Sequence, residues 1–443
     1  MASPEASQLL QLYRKAVPES FLEEISQQEG YRFRRGIFNL GVVMWLMIWQ
    51  RLHRNRTLAA AVQGLLRGQA DTLLNRCKRV EQSKISARPA GYCQARQKLP
   101  KLVAGLVMDR LVEELRNEMQ EGWPGVQRPV VLIDGSSLQL QHDKKLMQAY
   151  PTSHNQHGEH PWPILRLVVF HDVYSGLCLR PSWGPMYGKK AVSEQGLAED
   201  ALGRVPRDAV VLADCNFGIF AFAWAVQQSG RPMILRLTKA RAQKIWGRVP
   251  QIGNDGPVIW KVSRWDRSAH ARLPETATVT GRFMVCANPG RLHEPLYLFT
   301  TLDLAAAEII AIYKLRWNVE TDLRSLKRTV DLHQIHSRSL DMVDKEILAA
   351  MSAYNLTRAV MCLAARRAKL TPRQLSFSFV QTVVEAALPA LSSASSAIEY
   401  SRQLDRVLDY AVQGKLPQRT HPRSYPRHVW GRGGGGYGRR KKK

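Results

Sequence analysis

AEIIAIYKLRWNVETDLRSLKRTV, residues 307–330, is the stretch on which the reading of this chain turns. At about 100° per residue, Arg316 lies about 60° behind Tyr313, Glu320 about 20° behind, Arg324 about 20° ahead and Lys327 about 40° behind. Read as one helix, the five share a stripe. Ile312, Leu315, Val319, Leu323, Leu326 and Val330 share a neighbouring apolar arc, as docking on a core requires. A single acid in a basic and aromatic stripe suits a carboxylate working where a polyanion is gripped. The same residues also fit a solvated face held by spaced ion pairs such as Arg316–Glu320 and Glu320–Arg324.

Two more acids stand upstream in a telling context. VVLID (130–134) is a buried-strand run ending in Asp134, and AVVLAD (209–214) is a second one ending in Asp214. Either alone also reads as a strand entering a turn through Asp. Both in order, ahead of the stripe, make a pattern. Phosphodiester cleavage by two divalent ions uses carboxylates that bridge or flank metals about 3.5–4 Å apart. Mg²⁺ keeps several waters and wants few, hard oxygen ligands, so three carboxylates without histidine suffice.

The spacing Tyr313-x2-Arg316-x3-Glu320-x6-Lys327, with Trp317 directly after the arginine, resembles the Tyr-Arg-Glu-Lys (YREK) signature of bacterial cut-and-paste insertion-sequence transposases. IDGSS (133–137) and LADCNFG (212–218) resemble the family's surroundings of its first two acids, although Cys215 stands where the family more often has Arg. The resemblance implies that Asp134, Asp214 and Glu320 are a catalytic DDE triad binding Mg²⁺, with Mn²⁺ as a substitute. It implies DNA contacts by Tyr313, Arg316, Trp317, Arg324 and Lys327. The implied partners are double-stranded DNA, as terminal inverted repeats and target, and a second copy of the chain in a synaptic complex. The implied reaction is excision through a DNA hairpin followed by strand transfer. A base flipped out beside such a hairpin stacks on aromatic side chains. Trp317, Trp246, Trp260 and Trp265 are candidates, of which Trp260 and Trp265 are singled out. Each tryptophan of residues 239–304 also reads as a sheet-covering core residue.

Bulk properties agree with a nucleic-acid enzyme. Among 443 residues, 64 Lys and Arg against 37 Asp and Glu leave +27, a charge that suits release of counterions from phosphates. The six cysteines show no paired spacing, which reads as reduced thiols in a bacterial cytoplasm and not as a disulfide or zinc framework. The start lacks a signal-peptide layout, and the apolar run 37–49 is too short for a span, so no membrane is expected. SHNQHGEHPW supplies His154, His157, Glu159 and His160, and further on stand His333 and His336. Neither group has a Cys partner or a regular frame, so no zinc is expected. Ser136 lacks a Gly-x-Ser-x-Gly elbow, which argues against serine hydrolysis.

The expected fold class is α+β and multidomain. A helical DNA-end-binding region (1–122) precedes an RNase H-like core split into 128–238 and 305–372. A β-rich insertion (239–304) interrupts it, and a helical region with a basic disordered tail (373–443) follows. Strands are expected over 164–172 and 176–182 as a hairpin, over 232–237, and in KVSRW, TVTGRFMVCA and LYLFTTL. Residues 91–99 are expected to form a helix that lays Arg96 and Lys98 into a groove, with a helical scaffold bearing solvated arginines as the alternative. From Lys415 to Lys443 there are ten Lys or Arg and no acid. Two rival functions remain: an RNase H-like nuclease that cuts without joining, and a non-catalytic DNA-binding repressor of transposition.

Overall fold

The computed structural model describes residues 13–14, 16–28, 30, 36–70, 73–74, 80, 82, 84–119, 128–155, 158–287, 295–333, 335–393 and 396–417. The expected basic tail beyond 417 and most of the linker at 121–129 lie outside them. Helices come first, among them α1 (Glu19–Gln28), α2 (Leu40–Leu52), α3 (Leu58–Leu66), α4 (Ala90–Lys98) and α5 (Lys101–Met119). Asn39 caps α2, accepting from the Val42 N–H at 2.9 Å, and every residue of α2 is buried. That is the buried helix expected from the apolar run at 37–51.

A mixed α/β region follows. Its elements are β1 (Val130–Gln139), α6 (Lys144–Ala149), the two-residue strands β2 (His154–Asn155) and β3 (Gly158–Glu159), β4 (Ile164–Asp172), β5 (Ser182–Pro185), α7 (Glu194–Ala201), β6 (Val210–Ala213), α8 (Phe220–Gln228) and β7 (Met233–Leu237). Then come α9 (Lys239–Trp246), β8 (Asp255–Lys261), α10 (Arg264–Ala269), β9 (Thr278–Ala287) and β10 (Pro295–Thr300). Eight strands make one sheet in the order β5-β4-β1-β6-β7-β10-β9-β8. β1, β6 and β7 run parallel, and the other pairings are antiparallel. The strands of 239–304 thus extend the main sheet through the β7–β10 pairing instead of forming a sheet of their own.

Two strand expectations fail locally. Residues 176–181 contribute only an isolated bridge between His171 and Cys178, and the strand that pairs with the outer side of β4 is β5, which begins at Ser182. KVSRW leaves the strand after Lys261, because Ser263 and Asp266 form a capping box that starts α10.

The stripe-bearing stretch runs as α11 (Ala306–Lys314), a 3₁₀ turn (Leu315–Trp317), α12 (Asn318–Arg324) and a π-helical turn (Ser325–Thr329). One continuous α-helix was the expectation. A 3₁₀ turn advances about 120° per residue and a π turn is wider than α, so the five-residue stripe is sheared. Tyr313 is 6% exposed while Trp317, Glu320 and Arg324 face solvent.

The C-terminal part is α13 (Leu340–Arg367), α14 (Phe377–Ser393) and α15 (Ala397–Gln413). α13 is long and apolar enough to cross a membrane by length and composition, yet 94% of that window is buried inside the protein. It packs on α5, α2, α14 and α15. It also holds α4 from below: the buried Lys345 ammonium donates at 3.0 Å to the carbonyls of Arg96 and Gln97, closing that helix's C-terminus. Arg96 turns inward to 4.0 Å from Glu346, so only Lys98 of the pair expected in a groove is exposed. Buried apolar side chains from Tyr13 to Ala411 form one contiguous cluster.

Asn355, fully buried in α13, acts as a strand edge. Its Oδ1 accepts from the Cys178 N–H at 2.8 Å and its Nδ2 donates to the Cys178 carbonyl at 2.8 Å. Asn355→Ala would leave both backbone groups dry and unpaired. We expect it to lower unfolding free energy by about 2–4 kcal/mol in urea titrations, whereas an effect below about 0.5 kcal/mol would mean the pairing is dispensable.

Candidate active site

The sheet brings two of the expected acids together. Val130 to Ile133 of β1 pair in parallel register with Val210 to Ala213 of β6. The next residue on each strand is an aspartate, so Asp134 and Asp214 leave neighbouring backbones about 5 Å apart. Apolar β-branched and aliphatic residues bury both strands and fix the register, since a slip by one would turn each aspartate to the other face. Asp134 Oδ1 accepts from the Gly135 N–H at 2.8 Å, and Asp214 Oδ1 accepts from the Asn216 N–H at 2.9 Å.

Electrostatics record their closeness. Burial pushes the Asp134 carboxyl up to about 6. The negative charges of Asp214 and Glu194 add to this, and the Gly135 amide and the Arg316 guanidinium oppose it. Glu194 is a fourth acid that the sequence reading missed. It opens α7 behind the Ser193 cap, and its side chain accepts from Asn216 Nδ2. Its carboxyl is raised by burial and by Asp214, with Arg166 opposing. The carboxylate lies where a Cβ on residue 135 would be, which explains the glycine after Asp134. Gln195 braces the same loop, donating to the Asn216 carbonyl at 2.7 Å. A negative cluster built from three distant segments leaves no short-range signal beyond "SEQ" at a helix start. Cys215, where the resemblance has Arg, does meet a guanidinium: Arg241 from α9 donates to its carbonyl at 2.8 Å.

Glu320 is placed differently. α12 packs against β1, but Glu320 is exposed. Among the described residues, no three or more His, Cys, Asp or Glu are grouped closely enough to hold a metal ion. The structure therefore joins Asp134 and Asp214 and leaves Glu320 outside the pair, exposed on a helix that packs against β1. Of the basic stripe, Arg316 is near enough to influence Asp134, and its guanidinium lies 4.7 Å from the ring centre of the half-exposed Trp317. Lys327 is half-buried on the π turn, and that burial lowers its pKa. Arg324 is exposed.

Two expected DNA contacts need correction. Tyr313 is buried beside Arg236 and Arg316, so it packs against the basic residues and presents no hydroxyl to a phosphate. Trp260 is 8% exposed, with Phe220 and Phe299 at ring-centre distances of 5.7 and 5.5 Å, and serves as core between the sheet and α8. Trp265 differs: it stands 79% exposed on α10 between Arg264 and Asp266. The side chains at 154–159 lie outside the described residues, and so does the first histidine cluster as a possible ligand set. His333 bonds to the Lys327 carbonyl.

Residues 126–356, more than half of the chain, match the family described as Transposase DDE domain. The chain belongs to that family. Among particular relatives, "Transposase InsG for insertion sequence element IS4" of Escherichia coli (strain K12) is 24% identical over 423 residues, which is 93% of this chain and 90% of that protein. The piggyBac transposase in a cryo-EM structure of its synaptic complex with hairpin DNA gives a TM-score of 0.41 at 10% identity, over 95% of this chain and 87% of that one. The family resemblance read from the tyrosine-to-lysine spacing is borne out.

The aspartate pair has a stability cost that can be measured. Because the folded-state pKa of Asp134 is raised, the fold binds that proton more tightly than the unfolded chain. Asp134 therefore destabilises the metal-free protein progressively from pH about 4 to about 6, and by a constant amount above. Asp134→Asn should stabilise the metal-free protein at pH 8 by about 1–2 kcal/mol, the shift being discounted for partial solvent screening. At pH about 4 the variant should unfold in urea with the wild type; equal stabilisation at both pH values would contradict the assignment.

Proposed function

We propose that this chain is a metal-dependent DNA transposase of the insertion-sequence type, and that Asp134, Asp214 and Glu320 are its catalytic carboxylates. The observation that carries the reading is the parallel register setting Asp134 beside Asp214 within the span matched to a DDE domain. The strand order β5-β4-β1-β6-β7, with antiparallel pairing on one side of β1 and parallel pairing on the other, supports an RNase H-like core.

The donor set fits a hard divalent cation. It offers carboxylate oxygens without thiolate or imidazole, and burial together with the Asp214 charge lets Asp134 keep its proton to about 6, a cost that a bound dication would relieve. Asp134, Asp214 and Glu320 would hold Mg²⁺, with Mn²⁺ an acceptable replacement. When bound, such ions supply Lewis acidity at the scissile phosphate and to the attacking oxygen. The chain's own residues do the rest. Arg316 grips a phosphate bidentately beside the pair, and Lys327 and Arg324 add point charges along the backbone. Trp317, held by Arg316, and the exposed Trp265 offer stacking faces for an unpaired base. Glu320, exposed on the helix that packs against β1, would complete the trio by its side chain turning in from that face when cations and the DNA end are bound.

The remaining organisation follows from the same reading. Residues 1–122 bind the element's terminal repeats and 239–304 line the DNA. The C-terminal region from 373 contributes to a homodimer on paired ends, with sequence-independent phosphate contacts from its basic tail. Excision proceeds by strand cleavage and a DNA hairpin, and ends in strand transfer.

Asp134→Ala, Asp214→Ala and Glu320→Ala should each abolish cleavage of a DNA end while retaining its binding in gel-shift assays. Normal cleavage by any one of them removes that residue from the triad. Lys327→Ala should weaken end binding and reduce the slope of log K against log salt by about 1; an unchanged slope would take Lys327 out of the phosphate contacts.

A further inference from the structure

Two residues beyond Glu320, the chain makes an investment that surface chemistry does not explain. Asp322 is fully buried, one Oδ1 accepting from Arg358 of α13 and, at 2.5 Å, from Nη1 of Arg373. Arg358 is 3% exposed; its Nε donates to the Tyr354 hydroxyl at 2.8 Å, and that hydroxyl donates to the Gly176 carbonyl at 3.0 Å. Arg373, in the 3₁₀ turn Pro372–Gln374, donates through Nε and Nη2 to the Val173 carbonyl at 3.2 and 3.1 Å. His171 of β4, also fully buried, stands 4.0 Å from the second carboxylate oxygen. Gly176 has φ +75°, and a Cβ there would strike the Arg358 guanidinium at 2.8 Å. Three separate segments, α13, the 3₁₀ turn at Arg373 and β4, thus converge on one carboxylate of the helix that carries Glu320.

Burying a carboxylate with one guanidinium, and half-burying a second, is costly, and an apolar cluster would stabilise the fold as well or better. What an ion clamp supplies is directionality. At about 100° per residue, Asp322 and Glu320 lie about 160° apart around α12, so pinning one inward holds the other outward. The clamp also fixes position along the sheet. His171 pairs with Leu132 on β1, and Asp134 is two residues further on, roughly 7 Å along the strand. Anchoring Asp322 there sets the height of α12 against β1, the strand that carries Asp134, while the 3₁₀ and π turns on either side allow the short helix to be set independently of α11.

We propose that Asp322, clamped by Arg358 and Arg373, is a positioning residue that fixes the rotation and height of the Glu320 helix for metal-dependent cleavage. The inference rests on Glu320 being the third carboxylate of the proposed site. It predicts that loosening the clamp weakens the hold on the divalent ion before it harms the hold on DNA.

The test uses the full-length protein with a labelled DNA end. Cleavage is titrated with Mg²⁺ and Mn²⁺, and binding is followed by anisotropy in the absence of metal. For Asp322→Asn, which keeps the shape and one acceptor, the metal concentration for half-maximal cleavage should rise about tenfold or more, as for other residues that orient metal ligands. The rate should recover towards wild type at saturating Mn²⁺, with end binding unchanged. Arg373→Gln loosens the clamp from its outer side, leaves the Asp322–Arg358 pair, and should show the same displacement to a smaller degree; it serves as the variant if Asp322→Asn does not fold. An unchanged metal midpoint in folded variants, or loss of DNA binding in step with cleavage, overturns the positioning role. Wild-type cleavage by Glu320→Ala alone would instead refute the triad, whatever the clamp does.

Discussion

The parallel pairing of β1 with β6 is the constraint on which everything else depends. It places two carboxylates on adjacent strands where neither can move away from the other without breaking the ladder. Burial, and then the neighbouring charge of Asp214, raise the proton affinity of Asp134. A fold that merely wanted stability would separate them. The apolar runs beneath hold the register, and Glu194, Gln195 and Asn216 hold the loops above. The negative cluster is thus kept rigid and partly dry, the state in which a dication gains most.

Around that pair the chain arranges cations in two kinds. Arg358 is buried and Arg373 half-buried, and both are committed to Asp322. Arg316, Arg324 and Lys327 stay nearer the surface on the same irregular helix. This division resolves the ambiguity of a basic stripe. The residues turned inward organise the helix, and those left outside remain available to a polyanion.

Much of this was legible in the sequence. VVLID and AVVLAD announce themselves because buried parallel strands are continuous apolar runs and both end in acids. The buried α2 and the long α13 follow from unbroken apolar spacing, and the Tyr-Arg-Glu-Lys spacing gave the family. What stayed hidden depends on distance along the chain. Asp322 reads as one more polar residue among Thr321, Arg324 and Ser325; nothing local says that Arg358 and Arg373 will reach it. Glu194 looks like an ordinary first-turn acid. Trp260 and Trp265, five residues apart, look alike as stacking candidates until the β8 strand ends and the Ser263 cap begins a helix, burying one and exposing the other. The same applies to Tyr313, whose burial depends on where the 3₁₀ turn falls.

The central claim is that Asp134 and Asp214 hold a divalent ion which Glu320 helps to enclose when DNA is bound. The most direct measurement is the anomalous difference density of Mn²⁺ in a crystal of the protein with a DNA end. The account predicts a peak between the ends of β1 and β6, contacted by Asp134 and Asp214, with the Glu320 carboxylate brought in to it. A DNA complex in Mn²⁺ with no peak at that pair, or with Glu320 still turned away from an occupied site, would contradict it.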